Sequence, residues 1–350
     1  MGQLIECVPN FSEGRNMNVI NQIANAIKSV DGIKLLNIDM GIAANRTVIT
    51  FVGKPEAVVN AAFIAIKTAA KLIDMSKQKG EHPRIGATDV CPLVPVSGIT
   101  LEETAVYAKQ LGEHVGKELN IPVFLYEAAQ QNKKRSNLAV IRKGEYEGMF
   151  KKIKLPEWKP DFGPAENSVK SGATVIGARN FLIAYNVNLN TVSVAIANAI
   201  AADVRETGHV KRKNDLPHGE IIKDGNGDPV RVAGKLKSVK AIGWFIKEYG
   251  CAQVSMNLTD IGVTSIHQAF EEACNSAKKY GAEVTGSELI GLIPLKAMIE
   301  AGKYFLNKQH LDNRISEKAI IEIAVLSLKL NHLSVFEPEK RIIEYLLNDH

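Results

Sequence analysis

The apolar positions of this chain fall into two periods, two residues and three to four residues, which alternate along its length. Gln3 to Val8 reads as a strand that runs into the polar loop Pro9-Asn10-Phe11-Ser12-Glu13-Gly14-Arg15, punctuated by proline and glycine. Ile20, Ile23, Ala24, Ile27 and Val30 then share one helical face. Ile33 to Ile38 is a strand, Asp39 to Arg46 a loop, and Thr47 to Val52 a strand. Pro55 suits the first turn of a helix reaching Asp74, with Val58, Ala62, Phe63, Ile66, Ala70 and Ile73 as its buried side. A polar loop from Glu81 leads into the apolar strand Asp89 to Val96. The order is β-α-β-β-α-β, the split βαβ or ferredoxin-like unit. A third helix carries Leu101, Ala105, Ala108, Leu111, Val115 and Leu119 on one stripe, and Val123 to Tyr126 adds a short strand.

Beyond a polar, basic run at Gln130 to Arg135, Tyr146 to Ile153 has helical spacing. Leu155 to Gly172, with Pro156, Pro160, Pro164, Gly163 and Gly172, reads as an inter-domain linker. Ala173 to Leu189 is one long strand or two short ones flexed at Gly177, and Val192 to Val204 is a helix. Arg205 to Asp228 is a long loop ending in a hairpin signal at Asp224-Gly225-Asn226-Gly227. Strands at Val239 to Ile246, Ala252 to Leu258 and Glu283 to Leu289, with a helix at Ile266 to Tyr280, repeat the first order of elements. Pro294 starts another helix, and Ile315 to Asn348 holds two amphipathic helices that cap the second unit or meet a partner. The expected architecture is α+β: two ferredoxin-like subdomains at 1–172 and 173–302, and a helical tail at 303–350.

The 350 residues allow two or three domains, and 45% hydrophobic with 23% charged residues is an ordinary globular balance. No apolar run approaches a membrane span, and Met1 to Glu6 lacks the regions of a signal peptide. Cys7, Cys91, Cys251 and Cys274 are far apart with no CxxC, which excludes a zinc ribbon or a disulfide framework and suits a reducing, cytoplasmic setting. A net charge of +5 suits an anionic small molecule as well as a weak nucleic-acid contact. There is no HExxH, P-loop or GxSxG, and the eight histidines are scattered, so no metal is expected. Asp224-x-Asn226-x-Asp228 opens like a calcium loop, but Pro229 and Lys235 stand where that loop needs glycine and glutamate.

The densest chemistry is in Glu81-His82-Pro83-Arg84-Ile85-Gly86-Ala87-Thr88-Asp89, where Pro83 holds His82 on extended backbone. An imidazole with a pKa near about 6.5 can take and give a proton at neutral pH. Asn10 and Arg15 follow one strand, Arg46 lies between two others, Arg179 interrupts the long strand of the second half, and Asn186, Asn188, Gln253, Asn257 and Asp260 lie at or near strand ends. An arginine in an apolar, β-rich run such as Arg179 needs an anionic partner or a route to water. A solvated charge is the alternative for Arg15 and Arg46, and a turn or strand-end hydrogen bond for the asparagines.

Several long motifs resemble the glutamate formiminotransferases. They are Glu6-Cys7-Val8-Pro9-Asn10-Phe11-Ser12-Glu13-Gly14-Arg15, Asn45-Arg46-Thr47, His82 to Gly86, Gly177 to Leu189, Gln253 to Asp260 and Gly286 to Pro294. The resemblance implies an enzyme that moves the formimino group of N-formiminoglutamate to N5 of tetrahydrofolate and releases glutamate. It implies two α/β subdomains facing each other across a folate-binding tunnel, in a homodimer, and the polar motifs in each half, joined by the proline-rich linker, lead to the expectation that both halves build one site. The family's catalytic histidine falls on His82, and its folate segment on the stretch from Gly163 and Pro164 to Gly172. Asp39 is the candidate to orient the imidazole. Asn10, Arg15, Arg46, Arg84, Arg179 and Asn188 are the candidates for holding substrate and folate. Within that stretch, Ala165 to Lys170 lacks the aromatics of the animal proteins, and with the chain ending at His350 a cyclodeaminase domain is not expected. Two further readings remain open: a formyltransferase or 5-formyltetrahydrofolate-handling enzyme on the same fold, and a non-enzymatic ligand- or RNA-binding protein. The second lacks the RNP1 pattern and, at 6%, the aromatic content.

Overall fold

The computed structural model describes residues 3–130, 135–213, 219–310 and 315–348. The first two residues, part of the basic run after Gln130, the middle of the loop between Arg205 and Asp228, and two pieces of the C-terminal tail lie outside them. The chain divides into two compact units, Met1–Asn180 and Phe181–His350.

The first unit begins with β1 (Leu4–Cys7) and β2 (Asn10–Phe11), two pieces of one strand line broken at Pro9. Both pieces pair with the same two neighbours, β4 (Arg46–Gly53) and β5 (Thr88–Ser97). Between them in sequence come α1 (Met17–Lys28), β3 (Ile33–Gly41) and α2 (Pro55–Leu72). Asn16 starts α1 by accepting from the amides of Asn18 and Val19, which satisfies donors the first turn leaves free. Then follow α3 (Leu101–Leu119), opened by a Thr100–Glu103 capping box, β6 (Val123–Glu127), α4 (Leu138–Arg142), α5 (Glu145–Lys152) and β7 (Thr174–Ala178). The antiparallel order β3-β4-β1-β5 is the expected split βαβ sheet, and β7 and β6 extend it in parallel from β5.

Strand alternation sorts the side chains of this sheet. Ile5, Cys7, Phe11, Ile49, Phe51 and Leu93 pack with Ile23, Ile27, Val58, Ala62 and Ile66 of α1 and α2. Glu6, Asn10, Arg46 and Thr50 alternate with them and so belong to the opposite face. On that face α4 and α5 set Ile141 and Met149 against Phe124, Tyr126 and Val175.

In the second unit the elements are β8 (Ile183–Leu189), α6 (Val194–Val204), β9 (His209–Val210), β10 (Arg231–Val232), β11 (Val239–Ile246), β12 (Cys251–Leu258), α7 (Ile266–Lys279) and β13 (Val284–Ile290). Their sheet, β11-β12-β8-β13, is antiparallel throughout and repeats the split βαβ order. The tail forms α8 (Leu295–Lys308), α9 (Glu317–Ser327), α10 (Pro338–Arg341) and α11 (Ile343–Asn348). Met298, Ala301, Ile321, Ala324 and Ile342 share one core with Tyr185, Val187, Val254 and Met256, so the tail is an integral part of this unit.

Two expectations change. The strands β3 and β4 take in Asp39 and Arg46, which the sequence places in a loop, because the ladder continues through Asp39↔Val48 and Gly41↔Arg46 to a tight turn at Asn45, φ 46°. The stretch Leu155 to Gly172 is not a linker between units but a wrap on the first one. Val123 N donates to Phe162 O at 2.9 Å, Met75 N to Lys170 O at 2.8 Å, Ala87 N to Ser171 O at 2.8 Å and Ala173 N to Ile85 O at 3.0 Å. The unit boundary accordingly falls at Asn180, after β7, rather than at 172.

The end of this wrap is tightly constrained. Gly172 has φ +66°, and a Cβ there would sit 2.3 Å from Ile85 O and 2.7 Å from Gly86 Cα. Gly172→Ala is expected to cost about 1–3 kcal/mol for the forced backbone alone, read as a lowered denaturant midpoint. A midpoint equal to that of the unsubstituted chain would show that the contact is not constraining.

Candidate active site

His82 lies on the loop between α2 and β5, and its conformation is set by its own backbone. The ring Nδ1 is 2.8 Å from Pro83 O. A carbonyl oxygen only accepts, so Nδ1 carries the hydrogen and Nε2 keeps its lone pair. Burial, then the charges of Arg46 and Arg142, hold the pKa of His82 well below the usual histidine value, against a weaker opposite effect of the Pro83 carbonyl. At neutral pH the ring is a neutral base.

The surrounding charges come from separate elements. Arg46, at the start of β4, donates from Nη2 to Asn10 Oδ1 on β2, while its Nε is buried without a partner among the described residues. Its pKa is pushed down to about 10, by burial first and Arg142 second, with Asp89 and Asp39 opposing. Arg142, the last residue of α4, pairs with the buried Asp89 at the start of β5. Asp89 Oδ1 also accepts from Ile85 N at 3.0 Å, which fixes the loop two residues beyond Pro83. Further along, Arg179 follows β7 and acts on Glu6 of β1, whose carboxyl burial lifts to about 7 while the guanidinium partly opposes.

The sequence candidates divide by these contacts. His82, Arg46, Asn10, Asp39 and Arg179 belong to the face of the sheet opposite α1 and α2 or to its rim. Arg84 has both terminal nitrogens occupied: it bridges Glu145 and Glu147 at 2.8 Å each and reaches Gln78 O at 2.9 Å, so it ties the His82 loop to α5. Arg15 is exposed, with Nε 3.3 Å from Ile42 O, and its amide is held by Glu13 Oε1. Gly163 is exposed and Pro164 half-buried on the wrap, and Gly172 abuts the His82 loop. In the second unit Asn188 is fully buried on β8, beside Gln253 of β12.

Arg142, Asp89 and Glu6 complete the cluster and were not among the candidates. Asn137 before Leu-Ala-Val-Ile is an N-cap signal for the short helix that delivers Arg142. Glu6 is a lone charge in an apolar strand, the same signal that singled out Arg179.

These features define a class: an α+β protein whose first unit sets a neutral imidazole among guanidinium groups, an arrangement for moving protons on anionic small molecules. Residues 4–179 match the formiminotransferase domain's N-terminal subdomain and residues 184–348 match the formiminotransferase domain. The chain belongs to the formiminotransferase family. It is 47% identical over 349 residues to the mouse formimidoyltransferase-cyclodeaminase, covering 100% of this chain and 61% of that one. It is 44% identical over 311 residues to the glutamate formimidoyltransferase of Thermoplasma acidophilum, covering 88% and 94% of the two chains. The Streptococcus pyogenes glutamate formimidoyltransferase is 40% identical over 312 residues, covering 89% and 96%. This chain thus spans about three-fifths of the two-activity relative and nearly all of each single-activity one. Among the described residues, no helix is long and apolar enough to cross a membrane.

Proposed function

We propose that the chain is a glutamate formiminotransferase that transfers the formimino group of N-formimino-L-glutamate to N5 of tetrahydrofolate, as a homodimer in the cytoplasm. The observation that carries the reading is the neutral His82 ring, with Nδ1 committed to Pro83 O and the charges of Arg46 and Arg142 acting on it. N5 attacks the formimino carbon and a carbon–nitrogen bond forms. Nε2 of His82 takes the proton that N5 loses, and a tetrahedral intermediate results. The bond from that carbon to the glutamate nitrogen then breaks, and the imidazolium returns its proton to the departing amine. Arg46 and Arg142 make the imidazolium costly to hold, so it is a ready acid for the second step. Arg46 and Arg179 are the cations suited to hold substrate carboxylates.

Formyl and formimino donors differ only by oxygen for NH, so the test offers both. Purified protein with tetrahydrofolate is expected to consume N-formimino-L-glutamate at least tenfold faster than N-formyl-L-glutamate, with the folate product identified by mass spectrometry. Faster turnover of the formyl donor would reverse the assignment of the transferred group.

A further inference from the structure

The loop that carries His82 is held by a hydrogen-bonded node that the mechanism does not use. Its members are Glu13, between β2 and α1, Asn45, at the β3–β4 turn, and Gln78, four residues before His82. Gly14 N donates to Asn45 Oδ1 at 3.0 Å, and Asn45 Nδ2 donates to Lys79 O at 3.0 Å. A backbone N–H only donates and a carbonyl only accepts, so the Asn45 amide has one orientation. Its Nδ2 also donates to Gln78 Oε1, which leaves Gln78 Nε2 to donate to Glu13 Oε2 at 3.0 Å. The other oxygen of Glu13 accepts from the amides of Arg15 and Asn16 at 2.8 and 2.9 Å. Each contact around this closed ring pairs a donor with an acceptor, and Glu13 and Asn45 are buried within it. A buried polar network that is fully matched in this way specifies a single geometry.

The node joins the two segments that carry the imidazole and one of its cations. Arg46 follows Asn45 directly, and the residues after Gln78 lie on the same turn. Glu81 N donates to Ala43 O at 3.3 Å, and a Cβ on Gly80 would stand 2.2 Å from Ala44 O. The Gln78 carbonyl in turn accepts from Arg84 Nη2 at 2.9 Å, so residues 78 and 84 close the loop on either side of His82. The charges that act on the ring are Arg46 of β4 and Arg142 of α4. Asp39 of β3 and Asp89 of β5 act on Arg46. Glu81 and Arg84 flank the ring in its own loop, with Arg84 paired to Glu145 and Glu147 of α5. Arg46 adjoins the node through Asn45, so its place relative to the ring depends on the node.

We propose that Gln78 is a positioning residue: through Glu13 and Asn45 it fixes the His82 loop against the turn that carries Arg46, and so sets how closely the guanidinium acts on the imidazole. The consequence for catalysis rests on the transferase reading above, whereas the positioning does not. The test uses two variants of the intact protein that keep its net charge. Gln78→Met removes both side-chain contacts of the node. The exchange Glu13→Gln/Gln78→Glu keeps every contact, because an amide at position 13 still accepts from the two backbone N–H groups and donates to a carboxylate at position 78, which accepts from Asn45. The imidazole titration is followed by NMR, with the His82 signal assigned by its loss in His82→Ala, alongside kcat, KM and thermal melts. Gln78→Met is expected to move the His82 titration upward, toward the ordinary value near about 6.5, and to lower kcat by about 10²-fold with KM for tetrahydrofolate unchanged. The exchanged protein is expected to titrate and turn over as wild type does. An unmoved His82 titration in Gln78→Met overturns the positioning role, and so does an exchanged protein that titrates like Gln78→Met. Loss of cooperative melting in either variant also overturns it, by making the node a requirement of the fold instead. The expected titrations in a protein that transfers no formimino group would keep the positioning role and remove the transferase reading.

Discussion

His82→Ala is expected to lose about 10²–10⁴-fold in kcat, roughly 3–5 kcal/mol of barrier. In the proposed mechanism one nitrogen serves two steps, accepting a proton as N5 attacks and returning it as glutamate leaves, so the loss is large. Folate binding and the melting temperature should change little, since a half-buried loop side chain leaves no core cavity behind. The pH profile supplies a second reading. A histidine with a depressed pKa is neutral, and so competent as a base, down to that pKa. The acid limb of kcat/KM should therefore lie below the ordinary histidine value near 6.5. Stability follows the same sign: the unfolded chain binds a proton on this residue before the folded one does, so stability falls as pH drops from about 6.5 toward the folded pKa. Steady-state kinetics of the purified variant across pH decide the matter. Near-wild-type kcat with formiminoglutamate would remove His82 from the proton transfer, and Asp39 and Glu81 would then be examined in its place.

The second large effect is at the Asp89–Arg142 pair. Their side chains are 2% and 14% exposed, and removing one partner strands the other charge away from water. Asp89→Ala is expected to cost about 3–5 kcal/mol, the usual penalty for breaking rather than replacing a buried pair. Arg142→Met should cost a similar amount and has a further consequence. Arg142 is one of the two cations that depress His82, so its loss should move the acid limb of kcat/KM upward, toward the ordinary histidine value. A variant that unfolds more easily but keeps the wild-type limb would separate the structural role of Arg142 from its effect on the imidazole.

The element order of both units is legible in the sequence because each strand and helix is long enough to show its period, and caps such as Thr100–Glu103 and Ser265–Gln268 mark helix starts. The wrap is not legible in the same way. Pro156, Pro160, Pro164 and two glycines look like a flexible connection, yet its stability comes from backbone hydrogen bonds to Ile85, Ala87 and Val123, which leave no mark on side-chain chemistry. Gly177 reads as a flex point within one strand line for a related reason: Thr174 to Ala178 and Ile183 to Leu189 are both rich in apolar and β-branched residues but belong to different sheets. In the site, His82 and Arg46 are visible as polar residues beside rigid elements. The role of Arg84 is not visible from sequence, because Glu145 and Glu147, which occupy its guanidinium, lie 61 and 63 positions away.

The parallel placement of β7 between β5 and β6 also bears on how the chain is made. Both neighbours are complete by residue 127, while β7 begins at Thr174. During synthesis from the N-terminus, two strands of the first sheet therefore wait with unpaired backbone edges while some fifty more residues are added. The same interval keeps Ile85 and Gly86 without the Gly172 and Ala173 backbone that pins them. The His82 loop thus reaches its final shape only with the last strand of its unit, which makes β7 the piece that joins β5 to β6 and removes the two inner edges of the nascent sheet.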